Sequence, residues 1–257
     1  MKPAVLIAAA LLAAAGGAHA GRSCEMKPPS AIGVQRAMTL AANTARALDA
    51  SGAKVVVIGR VGQDLSRYGQ TYSHIGFAYQ DEGRWRVVHK LNGCGSASAS
   101  VYRQGLGEFF LDDLHDFRAG VVIPRPEVQA RLLDVLGDNR RVAQLHTPAY
   151  SMVAYPWAQR YQQSNQWVIE TFAMSQDDAA STRERAQSWL RLKGYEPATL
   201  RIDAFTRLGA RMSRANIAFD DHPNEKRFTD RIETVSADSV FAWLNRAGLG
   251  SPLQTIR

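Results

Sequence analysis

Apolar positions change their period several times along the chain, and each change marks an element. From 30 to 50, Ile32, Val34, Met38, Leu40, Ala41, Ala45 and Leu48 recur at helical spacing up to Gly52, predicting an amphipathic helix closed by a glycine. The run KVVVIGR (54–60) is rich in β-branched residues and reads as a buried strand. After a polar stretch at 62–71, SHIGFAY (73–79) alternates Ile75, Phe77 and Tyr79 against His74, Gly76 and Ala78. A turn at Asp81-Glu82-Gly83 leads into RWRVVHKL (84–91), so the two segments form a β-hairpin. A short helix is predicted over 105–114, a strand over 119–123 and a helix over 127–136. A loop carrying Pro148, Tyr150, Pro156 and Trp157 comes next. Further helices are predicted over 164–174, 182–193, 204–212 and 236–246, and the charged stretch 220–233 ends in a short strand. Strands gather in the first half and helices in the second, which favours an α+β fold in one domain.

Composition narrows the class. The chain has 257 residues, 46% of them hydrophobic and 21% charged, enough to bury a sizeable core and far from a disordered profile. No repeat at solenoid or propeller periods occurs. The formal net charge is +7, but the arginines are scattered among acids and no basic run is interleaved with aromatics. No nucleic-acid partner is therefore expected. A solvated surface, or a mild preference for anionic polymers or lipid head groups, accounts for the charge.

The N-terminus predicts export. Lys2, the run AVLIAAALLAAAGG and Ala18-His19-Ala20 have the layout of a secretory signal peptide cleaved after Ala20. Residues 1–20 are thus assigned to the signal and 21–257 to one domain, periplasmic or secreted. The apolar run falls short of the roughly 20 residues of a membrane span, and no later segment is long and apolar enough for one. In an oxidising compartment Cys24 and Cys94 are read as a disulfide, with Cys94 as a nucleophile in its glycine-rich loop the alternative.

Chemistry has few places to sit. The five histidines outside the signal are His74, His89, His115, His146 and His222, and none has tight metal-ligand spacing. Glycine-rich nucleotide loops and G-x-S-x-G elbows are missing, so neither a nucleotide cofactor nor a metal is implied. His74 and His89 share the predicted hairpin. A two-residue loop centred between Asp81 and Glu82 sets them directly opposite each other. A three-residue loop that includes Gly83 pairs Ile75 with His89 and sends the histidines to opposite faces. In YQQSNQWVIE (161–170), Ser164 stands where a loop enters a helix: either it caps the helix, or it is a nucleophile beside amides that stabilise negative charge.

Three segments, DLSRYGQTYSHIGF, LNGCGSASASVYRQGLGEFFLDD and YPWAQRYQQSNQW, resemble domain-of-unknown-function family 2145 (DUF2145) across nearly all of the chain after the signal. More loosely, the order SHIGFAY, VVHKLN and SNQWVIE is similar to circularly permuted papain-like enzymes, the NlpC-type amidases and lecithin:retinol acyltransferase-like proteins. That resemblance implies a permuted papain-like fold, an antiparallel sheet packed against helices. It makes His74 the base, His89 its orienting partner and Ser164 the occupant of a position that is Cys in those enzymes. Asn165, Gln166 and Trp167 then suit a pocket wall. The expected activity is hydrolysis or acyl transfer at an amide or ester bond of an envelope peptide, lipid or polymer. The alternative is an inactive binding protein on the same scaffold, because a serine hydroxyl does not ionise as a thiol does.

Overall fold

A computed structural model describes residues 29–257. The expected signal peptide and Cys24 lie outside the described residues. Helix α1 (Ala31–Ser51) is capped by the Ser30 hydroxyl, which accepts from Gly33 N at 3.0 Å, and ends at left-handed Gly52. Six strands then form an antiparallel sheet: β1 (Val55–Val61), β2 (His74–Asp81), β3 (Arg84–Asn92), β4 (Ala99–Gly105), β5 (Asp116–Val122) and β8 (Gln254–Ile256), ordered β4-β3-β2-β1-β5-β8. A separate pair, β6 (Ala198–Arg201) and β7 (Arg231–Thr234), makes a two-stranded sheet. The remaining helices are α2 (Leu106–Phe110), α3 (Pro126–Leu136), α4 (Asn139–Gln144), α5 (Ser164–Gln176), α6 (Arg183–Leu192), α7 (Ala204–Ser213), α8 (Asn224–Arg227) and α9 (Ala237–Arg246). The architecture is α+β, an antiparallel sheet packed against helices.

Period-two alternation divides the sheet's side chains between two cores. Val56, Ile58, Ala78, Val87 and Val121 meet Leu40 and Leu48 of α1 and Phe109 and Phe110 of α2. Val55, Val57, Ile75, Phe77 and Val88 meet Leu132 of α3, Trp167 and Phe172 of α5 and Phe241 of α9. β1 lies between β2 and β5 and is covered on both faces, so residues 55–58 run continuously apolar rather than alternating. Among the described residues no helix is long and apolar enough to cross a membrane.

Several elements differ from the sequence reading, for a common reason. β4, β6 and β8 were not expected: β4 and β8 are sheet edges, β6 belongs to a lone pair, and none buries a full apolar face. The helix expected over 105–114 is the five-residue α2, because the chain is still paired in β4 up to Gly105.

The hairpin adopts neither expected register. Asp81 pairs with Arg84, and the two-residue loop is Glu82-Gly83, with φ of 48° and 76°. This double positive φ is that of a type I′ turn, whose twist matches the strands. Continuing the register beyond Phe77 and Val88 sets Gly76 across from His89, so His74 and His89 share a face as diagonal neighbours. A Cβ on Gly76 would stand 2.8 Å from the Val88 carbonyl oxygen and 2.9 Å from His89 Cβ. Gly76→Ala is therefore expected to destabilise the protein by about 1–3 kcal/mol, read as a lower urea midpoint. A shift under about 0.5 kcal/mol would show that the hairpin yields at this point.

Candidate active site

The site forms where the start of β2 meets the first turn of α5. The Asn165 carboxamide oxygen accepts from Ile75 N at 3.0 Å, fastening the helix to the strand end. The residue that caps α5 is Gln163, not Ser164. Its Oε1 accepts from Asn165 N at 3.1 Å, and its Nε2 donates to Thr234 Oγ1 at 2.9 Å and to the Val235 carbonyl. Ser164 is thus the first residue of the helix, buried, with its hydroxyl facing the Tyr150 phenol.

His74 and His89 are both buried and lie 2.8 Å apart, Nε2 to Nδ1. Their neighbours fix the protons. Gln104 Nε2 donates to Glu108 Oε1 at 2.9 Å, which turns the amide oxygen of Gln104 toward His89 Nε2 at 2.6 Å. His89 therefore carries its proton on Nε2 and accepts at Nδ1 from His74 Nε2–H. One nitrogen is left over, His74 Nδ1, with an open lone pair. Among the described residues it has no hydrogen-bond partner, and it is not one of their sealed, unpartnered atoms.

Arg60, buried and paired with His74 across β1 and β2, completes the group. Its guanidinium bonds the Phe109 carbonyl and reaches Asp112 Oδ2 at 2.6 Å, lying over the Phe109 ring at 4.8 Å. That same ring packs edge-on against His89, with centroids 5.2 Å apart. Burial, then the Arg60 charge, then His89 hold His74 well below the ordinary imidazole range. Burial first and Arg60 second bring His89 down to about 4, against the opposing pull of Gln104 and Asp112. Both rings are neutral at neutral pH.

His74 and Ser164 open onto one cavity of about 670 Å³. Arg60, Asp112, Gln163 and Asn165 line it beside them, and Met152, Val153, Leu200, Ile202 and Phe219 supply apolar wall. Among the described residues no hydrogen bond joins Ser164 to His74. The histidines lie with the α2 core, while α5 packs on the other face, so the two approach the cavity from opposite sides of the sheet end. Of the expected wall residues, only Asn165 lines the cavity. Gln166 is buried, donating to the Pro156 carbonyl at 3.2 Å, and Trp167 is a core side chain. No three His, Cys, Asp or Glu side chains among the described residues group as metal ligands.

Sequence reasoning assigned no role to Arg60, Gln104, Glu108 or Tyr150. Gln104 and Glu108 stand four apart within VYRQGLGEFF, the one signal that could have found them. A second polar assembly, behind α5, was also missed. Glu170 and Arg183, both buried, form a two-pronged ion pair at 2.8 and 3.2 Å. Buried Lys90 donates to the Thr147 carbonyl, the Gln162 carbonyl and Gln162 Oε1 at 2.6, 2.9 and 2.8 Å. Burial and then the Arg183 charge pull Lys90 down to about 7, yet three acceptors for three protons hold it as the ammonium.

The fold and site define an α+β protein with a histidine pair and a helix-opening serine on a common cavity. Residues 47–244 match the family described as "Uncharacterized protein conserved in bacteria (DUF2145)", and the chain belongs to that family. Among solved structures it is similar to one titled "Crystal structure of metalloprotein yiiX from Escherichia coli O157:H7, DUF1105". That likeness has 13% identity and a TM-score of 0.46, over 80% of this chain and 96% of the other. No curated protein matches.

Proposed function

We propose that the protein is an exported hydrolase or acyltransferase that cleaves an amide or ester bond in the cell envelope, with Ser164 as nucleophile. The observation that carries the reading is the chain Glu108–Gln104–His89–His74, which leaves one unprotonated nitrogen, His74 Nδ1, beside a cavity that also holds Ser164. Ser164 Oγ attacks the carbonyl carbon as its proton passes to His74 Nδ1. The resulting oxyanion lies at the N-terminus of α5, and His74 returns the proton to the leaving group. Water or an acceptor alcohol then releases the acyl group. His89 holds the tautomer of His74 and touches no substrate. The histidine relay and the permuted papain-like order of the motifs support the same roles. Export rests on the N-terminal segment. A Cys24–Cys94 bridge belongs to the same proposal, since a lone pair of cysteines usually joins in an oxidising compartment.

The mature protein treated with a fluorophosphonate probe and weighed intact is expected to gain one adduct, mapped to Ser164. The adduct is expected to be lost in Ser164→Ala and in His74→Ala. A second reading, a binding protein that has kept the cavity, is favoured by the Ser164 hydroxyl facing Tyr150 rather than His74. Folded protein that takes up no probe would decide for that second reading.

A further inference from the structure

Helix α7 exposes what helices usually bury. Phe205, Leu208 and Met212 recur at helical spacing along one stripe and are 87%, 57% and 81% exposed. Phe228, just after α8, is 73% exposed and belongs to the same lobe, because the Arg207 guanidinium bonds the Arg227 carbonyl. A cluster of this kind on an otherwise ordinary surface marks a docking site.

Charge says what docks there. From Ala204 to Phe219 the chain carries Arg207, Arg211 and Arg214 and no Asp or Glu. Around the helix, the arginines at 207 and 211 lie away from the apolar stripe, giving the division of an interfacial helix: apolar on one side, cationic on the other. The remaining arc, with Thr206, Gly209 and Ala210, lines the cavity. We propose that α7 and Phe228 dock the protein on an anionic lipid bilayer. The apolar stripe sinks to the level of the acyl chains, exposed Arg211 meets lipid phosphate, and the cavity is set against the membrane surface. This surface is separate from Ser164 and does not depend on its chemistry.

The test is co-sedimentation with vesicles of mixed phosphatidylglycerol and phosphatidylcholine against vesicles of phosphatidylcholine alone. Wild-type protein is expected to bind the anionic vesicles preferentially, more weakly as salt rises. Phe205→Ser with Met212→Ser is expected to lower that binding about tenfold or more while far-UV circular dichroism is unchanged, since both side chains are exposed. Arg211→Glu should weaken it further at low salt, and Ser164→Ala should bind as wild type does. Equal, weak sedimentation with both vesicle types would overturn the proposal, as would undiminished binding by the double serine variant. Light scattering that finds a wild-type dimer broken by the double variant would assign the stripe to a second copy of the chain and overturn it too.

Discussion

Arg183→Met is expected to destabilise the protein by about 3–5 kcal/mol, measured as the loss in urea unfolding free energy. The substitution preserves the aliphatic stem but leaves the Glu170 carboxylate buried without its cation. Gln162 and Gln187 would still donate to it, at 2.6 and 2.7 Å, but neither carries charge. Arg183 also binds the carbonyls of Ala158, Gln159 and Tyr161, so its removal frees the backbone that leads into Ser164. Lys90 grips the same stretch at Thr147 and Gln162. The buried ions thus pin the 147–163 loop against the sheet and set where α5 begins. Pairing the substitution with Glu170→Leu removes the stranded charge, and the double variant should recover part of the loss; the Ala158 carbonyl keeps Gln187 as donor, while those of Gln159 and Tyr161 lose theirs. A single-variant loss below about 1 kcal/mol would show that water reaches Glu170.

How much of this was legible follows from what each part of the sequence encodes. Helix α1 and strand β1 announce themselves, because burying one helical stripe or a whole strand demands a periodic or continuous apolar pattern. β4, with VYRQ exposed or half-exposed at the sheet edge, has no such demand to meet. The α+β class came through and the hairpin register did not; the structure brings His74 against His89 and sets His74 and Ser164 on one cavity. The decisive residues were Glu82 and Gly83, both at positive φ; a non-glycine residue rarely takes that conformation, so nothing in Asp81-Glu82-Gly83 marked which two residues turn. The relay through Gln104 and the Glu170–Arg183 pair join residues far apart in sequence. Local pattern carries no record of such pairs; only the assembled sheet and helices bring them together.

The His89 ring alone is expected to cost the fold about 3 kcal/mol of stability between pH 6.5 and pH 4. The sign follows from His89. Unfolded, it takes up a proton near 6.5, whereas burial and the Arg60 charge hold the folded ring down to about 4. The folded state binds fewer protons in that window, so its advantage is complete above pH 6.5 and is lost as the pH falls toward 4. His74 acts in the same direction, its pKa lowered by burial, Arg60 and His89, and half-buried His146 adds to it. Lys90 does not contribute, since it is protonated on both sides of folding below pH 6.5. The lowered carboxylates Asp64, Asp138 and Asp203 act only below their ordinary value of 3.8. Urea unfolding at half-unit pH steps measures the slope. His89→Gln keeps a polar side chain between His74 and Gln104 and should flatten most of it, while His146→Gln should leave most of it. If the two variants flatten the curve equally, the acid sensitivity does not originate at the His74–His89 pair. If Arg60→Met leaves the wild-type slope unchanged, the charge that keeps His74 neutral is not Arg60, and the low-pH limit of any Ser164 chemistry must be set elsewhere.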